Sequence, residues 1–186
     1  MAKNRVRSEF IAKEGGGMEF GKLFIELFRL LEPCTYMELG IKAGYTFNQL
    51  SPLVKRAIAV DAAAHEDVII NKNVEYHIMT TDDFSEIWTD PIDFLFIDAL
   101  HEKEQVLRDF NHFAPFVVEN TGVIALHDTY PVQKSLLEEG RCWNAWEAAW
   151  ELRTNPVYSD YEFFTIPGPY AGLTLMRRAK KQVGWM

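Results

Sequence analysis

Four β-type segments of this 186-residue chain end in side chains that can bind metal ions, accept protons or hold the hydroxyl groups of a ligand. In chain order, these side chains are Glu38, Asp61, Asp98 and the pair His127-Asp128. In an open parallel sheet, ligands bind beyond the carboxyl ends of the strands. The spacing therefore predicts that these side chains line one cleft.

A glycine turn follows the first segment, in the pattern Glu38-x-Gly40-x-x-x-Gly44. Backbone N–H groups at a turn between a strand and a helix can bind a nucleotide-like cofactor, and glycine lets that ligand approach closely. A dinucleotide fingerprint would need glycine at 42 and 45, where this chain has lysine and tyrosine. The alternative is an ordinary chain reversal, which is common in α/β proteins.

Two further positions have the spacing of a nucleoside site. Asp61 lies 21 residues after Gly40, which suits an acid that accepts hydrogen bonds from ribose hydroxyls. The run Thr80-Thr81-Asp82-Asp83 follows the third strand, where a side chain could contact an adenine edge. Helix capping is the alternative for both, because Asp and Thr commonly cap helices.

Strand and helix patterns alternate regularly through the middle of the chain. Strands are predicted at 35–39, 57–60, 74–79, 92–97 and 122–126, with helices at 18–31, 46–53, 65–71, 82–88 and 102–116. This alternation predicts a parallel sheet covered on both faces. The strand-like runs 161–166 and 172–177 are separated by a link too short for a helix, so they should form an antiparallel hairpin.

The chain is therefore predicted to be a doubly wound α/β domain with a mostly parallel, seven-stranded sheet. A single domain over 1–186 is expected, with a core at 18–178 and a flexible segment at 1–17. That segment has a short helix predicted at 4–14, and its three glycines at 15–17 form a surface linker or the hinge of a lid.

Composition limits the classes of partner. The net charge of −8 argues against binding a phosphate backbone, and we expect no nucleic-acid partner. The chain has no apolar run of membrane-spanning length and no signal-peptide pattern, so a cytoplasmic protein without a membrane partner is expected. The two cysteines lack metal-ligand spacing and are expected to be reduced thiols. The oligomeric state is open, a homodimer included.

Four runs of residues resemble the class I S-adenosylmethionine-dependent methyltransferases. These are Glu38-x-Gly40-x-x-x-Gly44-x-Thr46, Val60-Asp61, Phe96-Ile97-Asp98-Ala99-Leu100-His101, and the run from Gly122 to Pro131 that contains His127-Asp128. More narrowly, they are similar to the small metal-dependent O-methyltransferases related to macrolide-sugar methyltransferases and cephalosporin-hydroxylase-like proteins. The resemblance covers roughly residues 35–176.

The resemblance implies a cofactor site for S-adenosylmethionine. The glycine turn would pass the methionine part, an acid after the second strand would hold the ribose, and the region after the third strand would face adenine. In this chain the implied site residues are Glu38, Gly40, Gly44, Tyr45, Thr46, Asp61, Thr81, Asp82 and Asp98.

Asp98 and Asp128 are predicted to form a metal pair, because carboxylates at the ends of adjacent strands repel one another without a cation or a shared proton. Oxygen ligands suit Mg²⁺, which would lower the pKa of a substrate hydroxyl. His101 is predicted as general base, working beside Asp98, with packing at a helix N-terminus as the alternative. His127 replaces an acid of the better-known relatives. It would ligate and favour Mn²⁺ or Fe²⁺, or would only orient Asp128.

The chain is thus predicted to transfer a methyl group from S-adenosylmethionine to a hydroxyl oxygen of a small-molecule acceptor. Trp143, Trp146 and Trp150 share one helical face. We predict that this face packs in the core, and the alternative is that it forms an apolar wall of the substrate site. The segment 129–140 is a candidate loop over the acceptor. Rival classes are a non-catalytic S-adenosylmethionine binder and an NAD-dependent oxidoreductase.

Overall fold

The computed structural model describes residues 20–168 and 171–179. Its seven strands are β1 (Thr35–Leu39), β2 (Arg56–Asp61), β3 (Val74–Ile78), β4 (Phe94–Ile97), β5 (Val123–His127), β6 (Tyr161–Ile166) and β7 (Leu173–Arg178). Its α-helices are α1 (Gly21–Leu31), α2 (Phe47–Leu50), α3 (Thr81–Ser85), α4 (Lys103–Phe113) and α5 (Ala145–Thr154). Short 3₁₀ helices cover Ser51–Leu53, Ala114–Phe116, Lys134–Leu137 and Pro156–Tyr158.

All seven strands form one sheet in the order β3-β2-β1-β4-β5-β7-β6. The first five strands are parallel, whereas β7 runs antiparallel to β5 and β6 antiparallel to β7. The doubly wound fold and the C-terminal hairpin at the sheet edge are both confirmed. The chain order reverses between β1 and β4, and this switch point is where a parallel sheet binds its ligand.

The middle strands are buried on both faces, which explains their continuous apolar sequences. Alternate residues of each strand point to opposite faces and join two separate core clusters. One cluster contains Met37 and Leu39 and packs against α3, α4 and α5. The other contains Tyr36 and packs against α1 and α2.

Helix α1 buries Phe24 and Phe28 on the sheet and exposes its opposite face. It ends at Glu32, which has a left-handed φ of 48° and precedes Pro33. The predicted start at residue 18 lies outside the described residues, as do the helix at 4–14, the glycines at 15–17 and the tail after residue 179. Within the described ranges, no helix combines the length and apolar character needed to cross a bilayer.

The prediction of a helix at 65–71 is wrong, since these residues form no helix. The segment is irregular because its backbone groups bond to side chains from elsewhere. The Asn48 amide donates to the Asp67 carbonyl and accepts from the Ile69 N–H, both at 2.8 Å. The His65 N–H donates to the Tyr76 hydroxyl at 3.0 Å. The Asp67 carbonyl and the Ile69 N–H are groups that a helix would need for its own hydrogen bonds.

The prediction that the tryptophans form part of the core is also wrong. Helix α5 buries its small face of Ala145, Ala148 and Ala149 together with Leu152. Alanines let α5 approach α4 closely, and Ala145 and Ala148 pack on Val106 there. The tryptophans consequently lie away from that contact: the side chain of Trp150 is 63% exposed, and Trp143 precedes the helix with a φ of 41°.

Candidate active site

Gly40 occupies the switch point, where it has a φ of 84°. Its N–H donates to the Val60 carbonyl, and the Asp98 N–H donates to the Leu39 carbonyl, both at 2.8 Å. A Cβ atom at position 40 would lie 2.3 Å from the Asp98 carbonyl oxygen and 2.4 Å from the Ala99 Cα. Glycine is therefore needed here because the chain that follows β4 passes directly against the turn after β1.

The carboxylate of Asp61 holds the same turn. One oxygen accepts from the N–H groups of Ile41 and Lys42 at 2.9 and 3.1 Å, and the other accepts from Ala63 at 2.9 Å. Partial burial alone would raise the pKa of Asp61, but these bonds stabilise the charged form and its pKa is lowered. Asp61 thus lies at the predicted ribose position and also fixes the glycine turn. Ribose binding by Asp61 stays a prediction.

Glu38 lies beneath the turn and is 2% exposed. The Tyr36 hydroxyl donates a hydrogen bond to it, a partner that sequence reasoning missed. Burial, followed by the nearby Asp98 charge, raises the pKa of Glu38 well above its ordinary value, although the bond from Tyr36 opposes this rise. Glu38 therefore lies in the floor of the site with its pKa shifted toward the neutral form, and its contact with cofactor stays a prediction.

The region predicted to face adenine starts with a capped helix. The helix is capped by Thr80, whose hydroxyl accepts from the Asp83 N–H at 3.0 Å and donates to the Asp83 carboxylate at 2.7 Å. Thr81 and Asp82 instead face α4, where the Gln105 amide donates to them at 3.0 and 3.2 Å. Gln105 belongs to no sequence motif, so these hydrogen bonds could not be predicted from the sequence. Adenine binding by Thr81 and Asp82 stays a prediction.

The other implied cofactor residues lie at the start of α2. Tyr45 is 54% exposed, whereas Thr46 is buried. Gly44 has a φ of 70°, which allows the turn to enter the helix.

Asp98, His127 and Asp128 converge at the ends of β4 and β5, as predicted. Each offers a ligand atom, and the three atoms lie within 4.8 Å of one another. The Nδ1 atom of His127 is 3.1 Å from one oxygen of Asp98 and 3.1 Å from one oxygen of Asp128. Asp128 reaches this position with a left-handed φ of 58° and is almost completely buried.

The donor set fits a divalent cation. The Nδ1 atom of His127 is buried and makes no directed hydrogen bond to any residue that the structure describes, despite the two nearby oxygens. Neighbouring ligands around an octahedral ion with bonds of about 2.1 Å lie about 3 Å apart, close to the separations seen here. The two carboxylates suit Mg²⁺ and Mn²⁺, whereas the imidazole favours a transition metal such as Mn²⁺ or Fe²⁺ over Mg²⁺.

His101 lies on the outer side of this cluster. Its Nδ1 atom is 3.0 Å from the second oxygen of Asp128 and contacts the Arg141 carbonyl, while Nε2 is 3.5 Å from Asp98. Burial would lower the pKa of His101, but the two carboxylates outweigh it and raise the pKa to about 10. In the metal-free cluster His101 is therefore protonated, which is not the form that a general base needs.

The two carboxylates and the two imidazoles of the cluster favour one another's charged forms. Burial would raise the pKa of Asp98 and of Asp128, but the two imidazoles lower both. Burial would lower the pKa of His127, but the carboxylates raise it well above its ordinary value. A cation bound here would thus replace protons on the imidazoles.

The segment before α5 closes one side of the cluster, which sequence reasoning missed. Besides the Arg141 carbonyl, the thiol of Cys142 lies against Asp128. Burial and the Asp128 charge raise the pKa of this thiol to about 12, so it stays neutral. The Asn144 side chain accepts from the Lys103 N–H at 2.9 Å and fixes the segment to the start of α4.

Asp109, on α4 behind Gln105, is a buried acid that gives a testable effect on stability. Burial raises its pKa to about 6, although hydrogen bonds from Thr81 and Gln105 oppose the rise. An unfolded Asp titrates near pH 3.9, so the folded state binds the proton more tightly. The resulting stability is complete below about pH 4 and is lost as the pH rises through about 6.

We therefore expect Asp109→Asn to be more stable than the wild type at pH 7.5. The difference in free energy of unfolding should grow by about 2 kcal/mol between pH 4.5 and 7.5, because Asn does not titrate. Urea unfolding at several pH values measures it, with the exposed Glu86→Gln as control. A difference that stays constant with pH would contradict this explanation.

Comparison with known proteins identifies the class. A family profile described as a methyltransferase domain matches residues 37–129, which is half of the chain. No curated protein sequence matches the chain. Solved methyltransferase structures do match its fold.

Three solved structures illustrate this similarity. An O-methyltransferase from Bacillus cereus, in complex with SAH, is 19% identical with a TM-score of 0.67, covering 84% of this chain and 79% of that one. The O-methyltransferase TomG from Streptomyces achromogenes, involved in tomaymycin synthesis and in complex with SAM, is 20% identical with a TM-score of 0.66, covering 86% and 79%. The SAH-bound Podospora anserina methyltransferase PaMTH1 is 15% identical with a TM-score of 0.67, covering 86% and 78%.

The order of the strands and the glycine turn at the switch point define a Rossmann-like methyltransferase of class I. The chain belongs to the methyltransferase-domain family whose profile covers β1 to the end of β5. This membership confirms the predicted class and disfavours an NAD-dependent oxidoreductase.

Proposed function

We propose that this chain transfers the methyl group of S-adenosylmethionine to a hydroxyl oxygen of a small-molecule acceptor, with a divalent cation bound by Asp98, His127 and Asp128. The observation that carries the proposal is the convergence of these three ligand atoms within 4.8 Å, beside the glycine turn of a methyltransferase fold. The structural neighbours that are O-methyltransferases with bound SAM or SAH support it.

The cofactor would bind along the turn after β1. The glycines at 40 and 44 carry no side chain that would stand between the backbone and a ligand, and Asp61 at the end of β2 keeps the turn in place. We assign the ribose to Asp61 and the adenine region to Thr81 and Asp82. Glu38 would support the turn from below, held by the hydrogen bond from the Tyr36 hydroxyl.

The acceptor would bind on the other side of the switch point. A cation held by Asp98, His127 and Asp128 would supply positive charge that lowers the pKa of an acceptor hydroxyl. His101 would take up the acceptor's proton at Nε2, since Nδ1 is held by Asp128 and the Arg141 carbonyl. The carboxylates that raise its pKa are the proposed ligands, so their neutralisation would return its imidazole to the neutral form.

The metal is proposed to be Mg²⁺ or Mn²⁺. The two carboxylates suit either ion, whereas the imidazole of His127 shifts the preference toward Mn²⁺. Methyl transfer requires little else from the protein. Holding the methyl group and the acceptor oxygen in line is itself a large part of catalysis.

Calorimetric titration of S-adenosylmethionine and S-adenosylhomocysteine tests the proposal. The titrations are repeated with Mg²⁺, with Mn²⁺ and with EDTA, and followed by transfer of radiolabelled methyl to a panel of small phenols and alcohols. We expect both ligands to bind and transfer to require the metal. No binding of either ligand would overturn the proposal as a whole. Binding with transfer that EDTA leaves unchanged would overturn the metal.

Replacing His101 with Gln separates proton transfer from binding. We expect turnover to fall by about 10²- to 10⁴-fold, while the Kd for S-adenosylhomocysteine changes less than about threefold. Single-turnover methyl transfer and calorimetry measure the two quantities. His77→Gln, on β3 and paired with Glu75 away from the proposed site residues, is the matched control and should retain turnover. An equal loss of turnover and of affinity would indicate a structural role for His101 instead.

A further inference from the structure

The hydrogen bonds around Asp128 show how this residue is held in its left-handed conformation. Asp128 has a φ of 58°, which a non-glycine residue adopts only when its surroundings fix it. Before it, His127 is in register with Leu173 of β7. After Asp128 the chain turns, and Thr129 and Tyr130 are still hydrogen-bonded to β7 and to the turn that precedes β7.

Two hydrogen bonds hold the chain after Asp128. The Thr174 hydroxyl donates to the Thr129 hydroxyl at 2.8 Å, and both side chains are buried. The Tyr130 N–H donates to the Ala171 carbonyl at 2.7 Å. Gly172 permits this approach, since a Cβ atom there would lie 2.3 Å from the Tyr130 Cβ.

The bond to Thr129 belongs to a chain of three hydroxyl groups. The hydroxyls of Thr165 and Thr174 are 3.0 Å apart across the hairpin. Because the single proton of the Thr174 hydroxyl goes to Thr129, Thr165 must donate to Thr174. The C-terminal hairpin is thus connected by directed bonds to the residue that follows Asp128.

We propose that Thr174 is a positioning residue for the metal centre, acting through Thr129 to fix the carboxylate of Asp128. This inference rests on the proposed metal site and adds to it a residue from the hairpin, about 45 positions away in the chain. Groups that orient metal ligands typically change metal affinity by about 10- to 100-fold when they are removed. The effect should be on the metal and not on the cofactor, because the glycine turn lies on the other side of β4.

Titration with Mn²⁺ alone tests the inference, using the electron paramagnetic resonance signal of the free ion. Thr174→Val keeps the shape of the side chain and removes the hydroxyl. We expect it to raise the Kd for Mn²⁺ by about tenfold or more, with the Kd for S-adenosylhomocysteine nearly unchanged. The Tm should fall modestly, because the hydroxyls of Thr129 and Thr165 lose a partner. Thr174→Ser retains the hydroxyl and should restore the affinity for Mn²⁺.

Thr165→Val is the matched control, because it removes the outer hydroxyl of the chain and leaves the bond between Thr174 and Thr129 intact. Its Kd for Mn²⁺ should stay within about threefold of the wild type. If Thr174→Val does not fold, Thr129→Val removes the acceptor of the same bond and should give the same loss.

The outcomes are distinguishable. A wild type that binds Mn²⁺, with Thr174→Val binding it equally well, would overturn the inference and leave the metal site standing. An equal loss in Thr165→Val would also overturn it, since the hairpin as a whole would then be responsible. A wild type that binds no Mn²⁺ would overturn the metal site and the inference together.

Discussion

Asp128→Asn should lose divalent metal binding and, with it, methyl transfer, while still binding S-adenosylhomocysteine. The substitution keeps the size of the side chain and its left-handed backbone, which Asn tolerates well. It removes the negative charge that faces both His101 and His127. We expect the Kd for Mn²⁺ to rise by more than about 100-fold, because a direct ligand should exceed the effect of the groups that orient it.

Calorimetry with Mn²⁺ and with S-adenosylhomocysteine measures the two affinities separately. Asp160→Asn, which removes the same charge from an exposed position before β6, is the matched control and should bind both ligands normally. Full methyl transfer in Asp128→Asn would remove the metal from the proposed reaction. Parallel loss of both affinities would instead place Asp128 in the framework of the fold.

Asp61→Asn should weaken cofactor binding strongly and stability moderately. The carboxylate accepts three backbone N–H groups through its two oxygens, whereas an amide has only one oxygen. Hydrogen bonds to charged groups contribute about 1.5–3 kcal/mol, so we expect a 10- to 100-fold rise in the Kd for S-adenosylhomocysteine if the ribose binds here. Part of the same change should appear as a lower free energy of unfolding.

Asn48→Ala separates these two contributions. It removes two hydrogen bonds from the neighbouring segment between β2 and β3, to Asp67 and Ile69, without altering Asp61. Its loss of stability should be similar, about 1–2 kcal/mol, but its affinity for S-adenosylhomocysteine should stay within about threefold of the wild type. Equal weakening of binding in both variants would show that Asp61 acts only by keeping this region ordered.

The fold was predictable because its elements carry strong local patterns. Buried parallel strands have continuous apolar sequences, and the link between β6 and β7 is too short for a crossover, so both the parallel sheet and the hairpin follow from the sequence. The prediction for the segment 65–71 was wrong because its conformation depends on hydrogen bonds to Asn48 and Tyr76, which belong to other elements. No pattern within the segment reveals those bonds.

The centre of the site was predictable for a similar reason. Asp98 and Asp128 stand at strand ends, and parallel strands bring their carboxyl ends together regardless of the details of packing. The bond from Thr174 to Thr129 and the one from Tyr36 to Glu38 could not be found this way. Threonine and tyrosine are common strand residues, and their hydroxyl partners depend on the register and twist of the finished sheet.

The tryptophans of α5 show the limit of hydrophobic periodicity. A stripe of large side chains and a stripe of alanines both repeat at helical spacing, and size alone favoured the tryptophans as the buried face. Close packing against α4 selected the alanines, because they permit a shorter distance between the helices.

The close approach of Gly40 to the backbone of Asp98 and Ala99 limits how this enzyme could adapt to new acceptors. Gly40 belongs to the wall that would face the methyl donor, and Asp98 belongs to the wall that would face the receiving oxygen. Since backbone touches backbone at this point, neither wall can move toward or away from the other without breaking the sheet. The distance between donor and receiver is therefore a property of the scaffold, and new acceptors would have to be accommodated by the outer loops alone.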